Sequence, residues 1–162
     1  MHLFDIDVKN GQRFKESDTL SAGNSITVFD TKWGKMGLCI CYDFRFPELA
    51  RLMVDLGAKI ILVPAAFNMT TGPLHWELLF QSRAVDNQVF TIGTAPARNL
   101  NASYHSYGHS IIVSPWGKIL NQADFEETAL FTTINLNEIS LVREQIPLLR
   151  HRRLDIYELT QK

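Results

Sequence analysis

The 162-residue sequence lacks a surplus of charge of either sign, a long apolar run and a Gly/Ser-rich linker. Its 16 Lys and Arg residues balance 17 Asp and Glu residues, which leaves a formal net charge of -1. Nucleic-acid and anionic-membrane binders draw affinity from an excess of Lys and Arg, so the charge balance argues against both partners. No apolar run approaches the roughly 18 to 20 residues that span a bilayer. We therefore expect a globular protein with neither nucleic acid nor a membrane as its partner.

Cysteine is also scarce, since the chain carries only Cys39 and Cys41. The two residues are two positions apart on one predicted strand, where their side chains point the same way, so a disulfide between them is disfavoured. The first residues lack the basic segment, apolar stretch and small-residue cleavage site of a secretory signal peptide. We therefore expect two free thiols and a cytoplasmic location.

Patterns typical of strands and helices alternate along the chain, and no repeat or composition shift marks an internal domain boundary. Alternating residues on both sides of the turn 31–34 predict a hairpin, and Pro47 and Gly57 mark the start and end of a helix. The other predicted elements are a buried strand at 59–63, a helix at about 74–86, a strand at 89–93, a hairpin of 110–113 and 118–120, a strand at 128–136 and a helix at 137–146. This order indicates an α/β layered fold with a mixed sheet.

Cys41 closes the second strand of the first hairpin, shortly before the helix that begins at Pro47. Backbone N–H groups at a helix N-terminus stabilise an anion, so this position is expected to raise the thiolate fraction. The same groups can receive the negative oxygen that forms when a thiolate attacks an amide carbonyl. On the residues alone, Cys41 is either a nucleophile or a small buried apolar residue. Cys39, which lies inside the strand, fits the second role.

The stretch GLCICYDFRFPE at 37–48 resembles the nucleophile motif of the nitrilase superfamily, the carbon-nitrogen hydrolases. Three further stretches resemble its omega-amidase-like branch: HLFD at 2–5, FNMTTGPLHWE at 67–77 and SRAVDNQ at 82–88. The resemblance covers essentially the whole chain. It implies an α/β fold of the α-β-β-α sandwich type, incomplete at the N-terminus.

The resemblance also implies a catalytic triad of Glu, Lys and Cys that cleaves a carbon-nitrogen bond through a thioester and releases ammonia, with no metal or organic cofactor. On this match Cys41 is the nucleophile and the backbone N–H of Tyr42 is an oxyanion donor. Glu16 matches a second, supporting glutamate of the family; without the match it reads as an exposed loop carboxylate. The expected substrate is a small carboxylate-bearing amide. Its expected contacts are Phe67, Asn68, Thr70 and Thr71, at the sheet edge where α/β proteins bind ligands.

Two members of that triad have no counterpart in this sequence. The family's Lys lies two positions before the His of the HLFD stretch, which here is His2, so it would stand immediately before Met1. The triad Glu belongs to a still earlier segment. We therefore expect residues 1–162 to be the C-terminal portion of a single carbon-nitrogen hydrolase domain, with Met1 an internal methionine of a longer, homodimeric protein.

Without its Lys and Glu, the chain as given is expected to be inactive, because such residues act as a unit. One alternative is a non-catalytic fragment that associates with homologous subunits. Another is a thiol redox sensor that uses Cys39 and Cys41. The sequence leaves these alternatives open.

Three charged or metal-ligating pairs and runs remain. His105 and His109 have a spacing that metal ligands use on a helix, but a loop is expected there and no metal site is predicted. Asp43 and Arg45 are expected either to pair with each other or to be solvated charges. The basic run at 150–153 is expected to be a solvated or subunit-contact tail.

Overall fold

The computed structural model describes residues 1–9 and 13–161. Its strands are β1 (Asp5–Asp7), β2 (Arg13–Lys15), β3 (Thr27–Thr31), β4 (Gly34–Leu38), β5 (Ile60–Pro64), β6 (Phe90–Thr94), β7 (Ile111–Val113) and β8 (Ile119–Gln122). Its α-helices are α1 (Pro47–Asp55), α2 (Gly72–Asn87) and α3 (Asn137–Gln145), and 3-10 turns lie at Glu16–Asp18 and Cys41–Arg45.

Strands β3 to β8 form one mixed sheet in which neighbours in sequence are neighbours in space. The pairs β4–β5 and β5–β6 are parallel, whereas β3–β4, β6–β7 and β7–β8 are antiparallel. Helices α1 and α2 provide the crossovers that parallel neighbours require. The predicted hairpins, β-α-β units and mixed sheet are therefore confirmed, and β1 and β2 form a separate antiparallel ribbon.

Helices α1 and α2 pack on one face of the sheet, where the larger core lies. Trp76 and Phe80 of α2 are fully buried there. A Cβ placed on Gly93 of β6 would lie 2.3 Å from Cζ of Phe80, so the absence of a side chain at 93 allows this close approach. A smaller core on the opposite face joins Phe90 of β6 to Ile139 of α3.

The strand predicted at 128–136 is wrong, because the structure gives these residues no regular strand pairing. Asn121 of β8 reaches the segment through its side-chain amide, which donates to the carbonyl of Phe131 at 3.1 Å. Ile134 and Leu136 pack on the smaller core, while the side chain of Phe131 is 87% exposed. The alternating pattern thus marks side chains that contact the core, although the backbone makes no strand hydrogen bonds.

Within residues 1–9 and 13–161, no helix is long and apolar enough to span a bilayer.

Candidate active site

Cys41 occupies a sharp turn between the sheet and the first helix. Strand β4 ends at Leu38, and Cys41 opens the 3-10 turn that leads to α1. The strand thus ends three residues before Cys41, and the prediction that Cys41 closes it is wrong. The φ angle of Cys41 is +48°, in the left-handed region that side-chain-bearing residues seldom adopt. Strained strand-to-helix turns of this kind present the nucleophile in several hydrolases.

The Cys41 side chain faces a cleft of about 1020 Å³. Residues 64–66 and 94–96, which include the carboxyl ends of the parallel strands β5 and β6, form one side of it. The other lining residues are 1–4, 40–43, Phe14, Glu16, Leu20, Ser21, Gly23 and Tyr104. The carboxyl edge of parallel strands is where open α/β sheets bind ligands, so the cleft lies where chemistry is expected.

The structure brings together three predicted site residues in this cleft: Cys41, Glu16 and Tyr42. The Glu16 carboxylate accepts the backbone N–H of Phe4 at 2.7 Å, which ties the 3-10 turn of Glu16 to the cleft wall. The backbone N–H of Tyr42 contacts the thiol of Cys41. The Tyr42 ring packs edge-on against Phe46, with ring centres 5.3 Å apart.

Burial dominates the electrostatics of both thiols. It raises the pKa of Cys41, and the nearby Glu16 charge raises it further, while the Ala66 and Tyr42 backbone N–H groups and the Arg45 charge act in the opposite direction. The Tyr42 N–H of the turn favours the thiolate in the expected direction, but desolvation outweighs it, so the net pKa of Cys41 is raised. Burial raises the pKa of Cys39 to about 12. Both cysteines are free, as predicted.

The four predicted substrate contacts lie beside the cleft and are not among its described lining residues. Phe67 and Asn68 are buried, and the Phe67 ring packs edge-on against Trp76. Asn68 Oδ1 accepts the backbone N–H groups of Thr70 and Thr71 at 3.0 and 2.8 Å and the Thr71 hydroxyl at 3.0 Å. These bonds shape the turn into α2. Substrate contact by these residues stays a prediction.

Arg45 is a site residue whose role the sequence did not reveal. Its guanidinium donates to Thr71 Oγ1 at 3.1 Å and lies 2.9 Å from Nδ1 of His75. It also lies over the Phe67 ring, 4.4 Å from the ring centre. The positive charge of Arg45 favours the thiolate form of Cys41 and so lowers its pKa. The predicted pairing with Asp43 and the predicted solvation are both wrong for Arg45, because its partners come from the loop before α2 and from α2 itself.

Asp43, unlike Arg45, is buried, with 4% of its surface exposed. Its carboxylate accepts the backbone N–H of His2 at 2.7 Å, and the His2 ring nitrogen Nδ1 lies 2.8 Å away. Burial opposes ionisation, but the hydrogen bonds from His2 and Ile40 outweigh it and lower the pKa of Asp43. No local pattern could predict this contact, since His2 and Asp43 are 41 residues apart along the chain.

His105 and His109 lie in irregular backbone, as expected. The His109 ring stacks on Tyr107, with ring centres 3.9 Å apart, and Nε2 lies 3.6 Å from the carboxylate of Asp124. Across residues 1–9 and 13–161, no cluster of three or more His, Cys, Asp or Glu side chains is suited to holding a metal ion.

Comparison with known proteins places the chain in a family. The carbon-nitrogen hydrolase family profile matches residues 1–144. Omega-amidase NIT2-A of Xenopus laevis is 52% identical over 162 residues, which are 100% of this chain and 59% of that protein. Omega-amidase NIT3 of Saccharomyces cerevisiae is 52% identical over 157 residues, 97% of this chain and 54% of that protein. The chain therefore spans less than two thirds of the length of these curated relatives.

Solved structures share the fold. The crystal structure of Saccharomyces cerevisiae Nit3, a member of branch 10 of the nitrilase superfamily, matches with a TM-score of 0.82 and 52% identity, over 85% of this chain and 51% of that chain. The Caenorhabditis elegans NitFhit protein matches with a TM-score of 0.90 and 39% identity, over 98% of this chain and 39% of that chain. The predicted nitrilase-type fold and the resemblance to the omega-amidase branch are thus confirmed, and the chain belongs to the carbon-nitrogen hydrolase family.

Proposed function

We propose that this chain is the nucleophile-bearing portion of an amidase that cleaves a small carboxylate-bearing amide, such as an omega-amide of a 2-oxo acid. The observation that carries the proposal is the position of Cys41, which has a left-handed backbone conformation and lines a cleft of about 1020 Å³ that Glu16 also lines. The similarity to omega-amidases supports the substrate class.

In the proposed reaction the Cys41 sulfur attacks the amide carbonyl carbon. The carbonyl oxygen becomes an oxyanion, and the Tyr42 N–H, which already contacts the thiol, is proposed to donate to it. When the carbon-nitrogen bond breaks, the amine takes up a proton and leaves as ammonia. Water then cleaves the thioester, which restores the thiol and releases the carboxylic acid.

The raised pKa of Cys41 means that the thiol needs a base before it can attack. We assign this task to the Glu of the family's triad, with its Lys beside the oxyanion, both proposed to lie in a segment that precedes Met1 in a longer chain. Glu16 supports this arrangement, since it holds the backbone of Phe4 along the cleft. Activity is therefore proposed for the longer chain and not for these 162 residues alone.

A substrate that carries a carboxylate needs a cation within one substrate length of the reacting sulfur. Arg45 meets this need, because its guanidinium is half-buried and its charge already acts on Cys41. Through Thr71 and Phe67 it is joined to the loop in which the predicted substrate contacts lie. We therefore assign the substrate carboxylate to Arg45, which lies with Phe67, Asn68, Thr70 and Thr71 beside the described lining of the cleft.

Ammonia release tests this function. The chain extended upstream to the length of its relatives should release ammonia from an omega-amide of a 2-oxo acid, and the 162-residue chain should not. Cys41→Ala should abolish release, while Cys39→Ala, which alters a thiol that is 5% exposed, serves as the matched control. Release that persists in Cys41→Ala would remove the nucleophile assignment.

A second candidate is a non-catalytic chain that associates with homologous subunits. Exposed leucines on α2 favour it, since Leu74 and Leu78 are 70% and 60% exposed. Apolar patches of this kind mark interaction surfaces. Light scattering should show that the 162-residue chain self-associates or binds a full-length relative, whereas a monomer that binds no relative contradicts this candidate. The same surface is proposed to serve a homodimer of the longer protein.

A further inference from the structure

Asp43 is a buried carboxylate that the proposed reaction leaves without a role. It lies two residues after Cys41, in the same 3-10 turn, and it also lines the cleft. A buried charge is costly unless it is paired and hydrogen-bonded, so its partners indicate why it is there.

The partners of Asp43 join two separate parts of the chain. Oδ1 accepts the backbone N–H of His2 at 2.7 Å and lies 2.8 Å from Nδ1 of the His2 ring. Oδ2 accepts the backbone N–H of Ile40 at 3.3 Å and lies 3.2 Å from the amino nitrogen of Met1. Asp43 thus bonds residues 1–2 to the residue immediately before the nucleophile.

The opposite side of His2 is also fixed. Its ring stacks on Phe46, with ring centres 3.6 Å apart and planes inclined by 10°. Two residues further on, the N–H of Phe4 donates to Glu16 at 2.7 Å. Two carboxylates therefore hold segment 1–4, Asp43 at residue 2 and Glu16 at residue 4. All four residues of the segment line the cleft that holds Cys41.

An ionised aspartate suits this position better than its amide. A carboxylate only accepts hydrogen bonds, and the backbone partners from His2 and Ile40 are both N–H donors. Because the carboxylate is ionised, the His2 ring nitrogen beside it must carry its proton on Nδ1. An asparagine would turn its NH₂ group towards one of these donors and leave it unsatisfied.

We propose that Asp43 is a positioning residue, which holds segment 1–4 against the nucleophile turn and so closes the cleft wall beside Cys41. In the longer chain it then fixes the residue that precedes Met1. This last step rests on the proposed function, in which that residue is the Lys beside the oxyanion. Asp43 itself touches neither substrate nor reacting atoms in this role.

Selective labelling of Cys41 in the 162-residue chain tests the positioning role without any need for activity. If segment 1–4 narrows the cleft beside Cys41, a bulky maleimide should react faster when the segment moves away, whereas small iodoacetamide should be less affected. Asp43→Asn should raise the ratio of the maleimide rate to the iodoacetamide rate by about tenfold, the opening expected from loss of a charge-assisted hydrogen bond. Asp30→Asn, at an exposed position on β3, is the matched control and should leave the ratio unchanged.

A double-mutant cycle shows whether Asp43 acts through His2. His2→Ala should also raise the ratio, and the double variant should exceed the larger single effect by less than twofold, because both substitutions remove the contact between the His2 ring and Asp43. An unchanged ratio in Asp43→Asn, or effects that multiply in the double variant, overturns the proposal. If Asp43→Asn does not fold and exposes Cys39 as well, His2→Ala alone decides.

Kinetics of the longer chain test the further step. Asp43→Asn should lower kcat for ammonia release at least tenfold with a smaller change in KM, because the reacting groups are misplaced while the substrate contacts remain. If the wild-type longer chain releases no ammonia, the proposed function fails, and the labelling result still decides the positioning role. If the wild type is active and Asp43→Asn keeps its kcat, the effect on the Lys is refuted.

Discussion

Arg45 of the nucleophile turn lies 2.9 Å from Nδ1 of His75 on α2. Because a guanidinium has only donors, His75 must accept through Nδ1 and carry its proton on Nε2. The turn that presents Cys41 is thereby fixed to the helix that follows β5, and not only to its own neighbours. This link also holds a positive charge close to the Cys41 thiol, where it opposes the rise in pKa that burial causes.

Replacing Arg45 by Gln should raise the pKa of Cys41 further, because the opposing positive charge is lost. Since the thiolate is the reactive form, we expect iodoacetamide to modify Cys41 more slowly at pH 8, by about two- to tenfold. Peptide mass spectrometry after timed quenching measures this rate. Arg153→Gln, which removes an exposed arginine paired with Asp155, is the control. Equal rates in wild type and Arg45→Gln would refute the electrostatic role.

The two thiols should differ sharply in reactivity. Cys39 is buried and its pKa is raised to about 12, whereas Cys41 is partly exposed and its pKa, though raised from 9.0, is raised less. We therefore expect iodoacetamide to label Cys41 alone in the folded chain, with a rate that still rises as the pH passes 9.0. Labelling of both residues at similar rates, or a plateau below pH 8, contradicts this assignment.

Adding a methyl group to Gly93 should destabilise the core. Its Cβ would lie 2.3 Å from Cζ of Phe80, a fully buried ring. Overpacking of this kind costs about 1–3 kcal/mol in the free energy of unfolding, which urea titration measures. At Gly23 nothing lies within 4 Å of an added Cβ, so Gly23→Ala should change stability by less than about 0.5 kcal/mol. Equal stability of the two variants would show that this packing is not as described.

Stability should fall in acid partly through Asp43. Its pKa in the folded chain is lowered below 3.8, so the folded state favours the ionised carboxylate. The resulting stabilisation is complete above about pH 5 and is lost as the pH falls through the folded pKa. The difference in unfolding free energy between wild type and Asp43→Asn should therefore shrink from pH 6 to pH 3. A difference that stays constant over this range excludes ionisation of Asp43 as the cause.

The fold could be predicted where a local pattern has one structural solution. The apolar run that became β5 is buried on both faces, and Pro47 and Gly57 bound α1 as their backbone preferences require. The segment at 128–136 shows the limit of such reasoning. Its alternating apolar residues reflect packing on the smaller core. Whether a neighbouring strand is available to pair with it depends on the tertiary structure.

The candidate site, like the fold, could be predicted from the sequence only in part. The motif around Cys41 is contiguous, so the sequence identified it, and the structure brings Glu16 and Tyr42 to the same cleft. The pKa of Cys41 could not be predicted, because it depends on how completely the folded chain excludes water from the thiol. The contacts of Arg45 with His75 and of Asp43 with His2 join distant positions, and no local pattern encodes them.

The nucleophile can be identified directly as the residue that carries the acyl group during turnover. The chain extended upstream to the length of its relatives is quenched while it consumes an omega-amide of a 2-oxo acid, and its peptides are examined by mass spectrometry. We expect an acyl thioester on Cys41, formed with loss of ammonia, present in Cys39→Ala and absent in Cys41→Ala. An acyl group on another residue, or turnover by Cys41→Ala, would contradict it.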